Sequence, residues 1–188
     1  MSVVSQTVHI APGSGVGSET VTIPAGVGLS DLILIPIETT TSTVGAHTAS
    51  STGSGTMTVP SGCLAGQTSG TTMKSTIMGG TGHAPGDVIT ITNPGSGFTV
   101  GDLLVIPGYD FDTAGSAGTT SGTAAQTVPA VTPSVAGCVC LAVAFGSQTS
   151  ARTVSSATAP YTLTDSVAGG GGTRFAAVGI AEQAGVSS

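Results

Sequence analysis

Two stretches of this chain nearly repeat each other, Ser30-Asp31-Leu32-Ile33-Leu34-Ile35-Pro36 and Gly101-Asp102-Leu103-Leu104-Val105-Ile106-Pro107. Each places a small residue and an aspartate before an apolar run of strand length, closed by proline. Gly86-Asp87-Val88-Ile89-Thr90-Ile91 is a weaker copy. β-Branched residues dominate throughout, and no window sustains the 3.6-residue periodicity of an amphipathic helix over three turns. The chain is committed to strands. The run 31–37 lacks polar alternation, which predicts burial on both faces. Each aspartate is read as a turn residue whose carboxylate takes the N–H two residues on and launches the strand. A shared calcium site is the poorer reading, because each lies in its own segment.

Gly and Pro clusters divide the rest. Residues 6–10 and 19–23 read as two short strands separated by Pro12-Gly13-Ser14-Gly15. Residues 87–92 and 98–106 read as a hairpin around Pro94-Gly95-Ser96-Gly97. Residues 136–145 form the most apolar run, and 158–165 should pair with 173–180 across a turn at Gly169–Gly172. About eight strands result, enough for a sandwich or jelly roll. The expectation is an all-β, antiparallel β-sandwich or jelly-roll-like fold: residues 1–46 and 128–188 form the main sandwich, and 47–127 an inserted β-hairpin subdomain. The Gly/Ser/Thr-rich tracts 38–55 and 113–126 are expected to be arms ordered only in an assembly, since fixing such backbone costs about 1–2 kcal/mol per residue.

Only 6% of the residues are charged, against 30 glycines, where soluble domains average about 25%. A chain so poor in charge is expected to work packed against other subunits, and to self-associate. Three cations, Lys74, Arg152 and Arg174, cannot neutralise a phosphate track, so no nucleic-acid partner is expected. No apolar stretch approaches the roughly 20 residues that span a bilayer, so no membrane partner is expected either. The first seven residues have neither the basic nor the apolar region of a secretion signal, which implies synthesis in a cytoplasm.

Reactive chemistry is sparse. No nucleophile elbow, HExxH or phosphate loop occurs, and no enzyme activity is expected. Asp110 and Asp112 flank Phe111 and point the same way in a strand, without a cleft between them. His9, His47 and His83 are far apart, and Cys63, Cys138 and Cys140 are read as small buried thiols. In a strand Cys138 and Cys140 would share a face about 7 Å apart, too far for a disulfide. No catalytic residue, cofactor or metal ligand is assigned. For a carbohydrate site the candidates are Tyr109, Phe111, Tyr161 and Asn93, a thin supply.

The order Val21-Thr22-Ile23-Pro24-Ala25-Gly26, Asp31-Leu32-Ile33-Leu34, Thr158-Ala159-Pro160-Tyr161-Thr162-Leu163, a Gly-rich turn, Arg174-Phe175-Ala176-Ala177-Val178 and Ile180-Ala181-Glu182 resembles a β-sandwich module of tailed-bacteriophage virion proteins. Tyr161 stands where that module carries Trp. The segment Gly95-Ser96-Gly97-Phe98-Thr99-Val100-Gly101-Asp102-Leu103-Leu104-Val105-Ile106-Pro107-Gly108 is similar to hairpins of phage and cyanophage virion proteins. The resemblance implies a viral structural protein located in the virion and made in the host cytoplasm. The expected role is a capsid decoration (cement) protein, a homotrimer bound to the major capsid protein or another virion protein. The alternatives are a tail-associated or receptor-binding structural protein, and a non-viral fibre or surface-layer subunit.

Overall fold

The computed structural model describes residues 4–41, 43, 45–60, 63, 65–68, 74–108, 134, 138–148, 157, 161–171 and 174–186. Among them are nine strands and no helix, hence no helix able to cross a membrane. They are β1 (Gln6–Thr22), β2 (Leu32–Thr39), β3 (Thr48–Ser51), β4 (Ala65–Thr68), β5 (Lys74–Gly80), β6 (Val88–Ile106), β7 (Cys138–Gln148), β8 (Thr162–Gly171) and β9 (Arg174–Val186). The first six form one sheet in the order β1-β6-β2-β5-β4, with β3 also on β6, and the last three a second sheet in the order β7-β9-β8. All pairings are antiparallel. The fold is all-β and sandwich-like, as expected from the strand-length runs.

Side-chain alternation along the central strands builds two cores, one on each face of the larger sheet. Ile33, Ile35 and Ile37 of β2 join Ile89, Ile91, Leu103 and Val105 of β6 in the first. Leu32 and Leu34 join Val100, Leu104 and Ile106 in the second, where Val167, Val178 and Ile180 of the smaller sheet meet them. Every residue of β2 is buried, so the unalternating run was a sound sign of burial on both faces. Fully burying one such side chain contributes about 1.5–3 kcal/mol. Pro36 has no N–H to give, and the β2–β6 ladder lapses between Leu34 and Ile37 where it sits.

Four expectations need correction. The first two turn clusters do not reverse the chain: residues 6–10 and 19–22 lie on one strand, β1, and residues 88–92 and 98–106 on another, β6. The two clusters face each other as matched irregularities, with Gly13 opposite Thr99, Ser14 opposite Phe98 and Val16 opposite Gly97, and register shifts between them. A bulge in one strand is absorbed by the bulge facing it, so the ladder continues and bends. Isoleucines before the bend and Leu103 and Val105 after it reach the same core. Gly97 is needed here for proximity rather than for a turn, because a Cβ would run into the Thr40 carbonyl.

Residues 47–127 are not an inserted subdomain. β6, from the middle of that range, pairs with β1, β2 and β3 and is the hub of the larger sheet. Residues 138–186 instead supply the second sheet alone.

The tract 38–55 is internal structure rather than an arm. Glu38 and Thr39 complete β2, Thr40 N–H donates to the Phe98 carbonyl at 2.9 Å, and β3 pairs with β6. Its threonines replace apolar contacts with hydrogen bonds. The tract 113–126 lies outside the described residues.

The aspartates at 31 and 87 do build turns, but the bond runs backwards. Asp31 Oδ2 accepts from Gly28 N–H and Asp87 Oδ2 from Ala84 N–H, each at 2.8 Å. Asp102 launches nothing: it lies well inside β6. The β8–β9 hairpin is present, with Gly171 opposite Arg174, so β8 runs through three of the glycines expected to form the turn.

Candidate functional site

Asp102 occupies the face of β6 that carries Val100, Leu104 and Ile106, a carboxylate in an apolar row between the two sheets. It is fully buried. On the neighbouring strand Val8 and Ile10 point into the first core, which turns His9 the other way, and His9 is the direct cross-strand partner of Asp102. His9 Nδ1 lies 2.7 Å from Asp102 Oδ1, a charge-assisted hydrogen bond in which the ring N–H donates. The imidazole is 55% exposed, so the pair runs from solvent into the interior.

The third member comes from the other sheet. A register shift between Leu163 and Asp165 re-aims β8, and Asp165 falls on the side of Val167, which faces the larger sheet. Asp165 Oδ1 accepts from Ser166 N–H at 2.7 Å, and its Oδ2 lies 3.9 Å from His9 Nδ1. One donor atom from each of His9, Asp102 and Asp165 falls within 4.8 Å of the others. Asp102 Oδ2 is buried with no hydrogen-bond partner among the described residues.

Burial pushes the Asp102 carboxyl up to about 6; the His9 hydrogen bond opposes the rise and the Asp165 charge adds to it. The Asp102 hydrogen bond raises His9 above its ordinary value, against a smaller effect of burial. The arrangement can hold a proton or a cation between the sheets. It has no nucleophile.

A second polar cluster is sealed in the larger sheet. His47 Nε2 lies 2.8 Å from Thr39 Oγ1, and His47 Nδ1 2.9 Å from Thr76 Oγ1. Thr39 Oγ1 also lies 2.8 Å from Thr99 Oγ1. Burial pushes the imidazole down to about 4, so at neutral pH it is uncharged and ties β2 to β5 and β6.

The residues weighed from sequence are scattered. Tyr109, Asp110, Phe111, Asp112 and Arg152 lie outside the described residues. Asn93 is buried in β6 and Tyr161 is half-buried before β8. None of the three cysteines forms a disulfide; Cys140 is buried, whereas Cys63 and Cys138 are only half-buried, and burial pushes the Cys63 thiol up to about 11. Cys138 and Cys140 are separated by a register shift rather than by simple alternation. Sequence reasoning missed the His9–Asp102–Asp165 group. The signal for its first two members was an acid and a histidine on alternating positions beside apolar ones; nothing local marked Asp165 as their neighbour.

No protein-family model, curated protein or solved structure matches this chain.

Proposed function

We propose that this chain is a structural subunit of a tailed-phage particle, a decoration protein that reinforces the capsid shell through contacts with itself and with the major capsid protein. The observation that carries the reading is β7. This strand, Cys-Val-Cys-Leu-Ala-Val-Ala-Phe-Gly-Ser-Gln, has 11 residues and no charge, and among the described residues it pairs only with β9. Edge strands of proteins that work alone are usually short, charged or bulged, because a bare edge templates pairing with another chain, and the one irregularity of β7 lies at its start, between Cys138 and Cys140. An uncharged edge suits strand addition by a neighbouring subunit. The same scarcity of charge runs through the sequence, with 3 cations and 9 acids in 188 residues, and the resemblance to virion sandwich modules points the same way.

Sedimentation of the purified chain at micromolar concentration tests the reading. The expected species is a trimer, and Ala144→Lys, which puts a charge on the β7 edge, should sediment as a smaller species with an unchanged far-ultraviolet spectrum. A wild type that sediments as a monodisperse monomer overturns it. Copy number in purified particles then separates a shell position, with many copies, from a tail position, with few.

A further inference from the structure

We propose that His9, Asp102 and Asp165 bind a divalent first-row transition cation, with zinc the best fit, which clips the first sheet to the second. The three donors come from β1, β6 and β8, so the ion would join strands that share no ladder between the sheets.

The geometry is close to that of a bound site. Ligand atoms about 2.0–2.2 Å from a tetrahedral zinc stand about 3.3 Å from one another. His9 Nδ1 is now 2.7 Å from Asp102 Oδ1 and 3.9 Å from Asp165 Oδ2. Loading the site therefore asks one of the two His9 contacts to open and the other to close by roughly half an ångström each, with the carboxylate ligand atoms of Asp102 and Asp165 already within 4.8 Å of each other. His9 reaches solvent, which leaves a fourth position for water and a path of entry.

The unpartnered Asp102 Oδ2 is a separate sign. A buried carboxylate oxygen without a donor costs stability. Its carboxylate already turns Oδ1 toward the imidazole, and a cation held there would compensate the whole group.

Charge balance favours a dication. An imidazolium with two carboxylates leaves one net negative charge between the sheets. A neutral imidazole, two carboxylates and a dication leave none. Binding forms three metal–ligand bonds, and the His9 proton leaves for solvent. An imidazole nitrogen with only two carboxylates suits zinc, cobalt or nickel. Calcium demands six to eight oxygens, and magnesium keeps most of its waters.

The test titrates chelator-treated full-length protein with Zn²⁺ alone and with Co²⁺ alone. Calorimetry should show one site per chain, with proton release revealed by buffers of different ionisation enthalpy. At a hundredfold excess over Kd, zinc should raise Tm by about 5–10 °C. Cobalt should give visible bands without the near-ultraviolet absorption of a thiolate ligand, since Cys63, Cys138 and Cys140 are the competing donors. His9→Gln and Asp165→Asn should each weaken binding about tenfold or more. His9 is over half exposed, so its variant folds even if Asp165→Asn does not. The proposal is overturned by absence of binding, by a thiolate band, or by binding unchanged in His9→Gln.

Discussion

Acidification should destabilise this protein through His47, and the effect can be isolated. The ring is buried and neutral, held between Thr39 and Thr76. In the unfolded chain it takes a proton near 6.5, whereas burial holds the folded value down to about 4. Between those values the unfolded state binds more protons, so falling pH favours unfolding. The contribution is intact above 6.5 and is lost as pH falls toward 4. Between pH 7.5 and 4.5 the loss is about 2.5 kcal/mol.

The wild-type curve alone will not reveal it. Asp102 has the opposite sign: its folded value is raised to about 6 from 3.8, so burying it weakens the fold at neutral pH and acid relieves that. The two effects are of similar size and largely cancel. The decisive quantity is the difference between wild type and His47→Gln, which keeps polar atoms near both threonines and does not titrate. Urea unfolding at the two pH values should show the wild type losing about 2.5 kcal/mol more than the variant. That corresponds to a midpoint shift of about 1 M or more. Parallel losses in the two proteins would refute the assignment of a buried, neutral His47.

Three further outcomes are expected. Ile37→Ala removes a fully buried side chain from the first core and should cost about 2–5 kcal/mol, read as a lower Tm. Gly97→Ala drives a methyl group into the Thr40 carbonyl at the bend of β6 and should cost about 1–3 kcal/mol in urea unfolding. Asp87→Ala frees the Ala84 N–H and should cost about 1 kcal/mol, with faster hydrogen exchange at Ala84; an unchanged exchange rate would count against the backward turn.

Much of the secondary structure was legible because it is local. The unalternating run 31–37 became a strand buried on both faces, and the expected hairpin formed with Gly171 opposite Arg174. What failed was long-range. Pro-Gly-Ser-Gly has the composition of a chain reversal, and only a second irregular strand opposite it makes it a bend in a continuing ladder. Residues 38–55 look like an arm because threonine and serine carry little apolar surface; their hydrogen bonds to β5 and β6 exist only once those strands are beside them. Asp102 matches Asp31 in local sequence, yet one sits between the sheets and the other caps a turn. The site escaped notice for the same reason, since Asp165 meets His9 through packing alone.

The place of β6 at the hub of the larger sheet has a consequence for biosynthesis. β1 leaves the ribosome first, yet its partner lies far along the chain: His9 meets Asp102 across a sequence separation of 93 residues. β2 and β5 can pair earlier, but the other edge of β2 stays unpaired until residues 88–106 have been translated. A nascent chain therefore carries Ile33, Ile35 and Ile37 without their β6 neighbours while residues 40–106 are translated, whereas the β8–β9 hairpin closes locally and at once. Such distant pairing folds slowly and exposes the chain to off-pathway association. The translation interval between β2 and β6 is the window in which a chaperone, or another nascent copy, meets this sequence first.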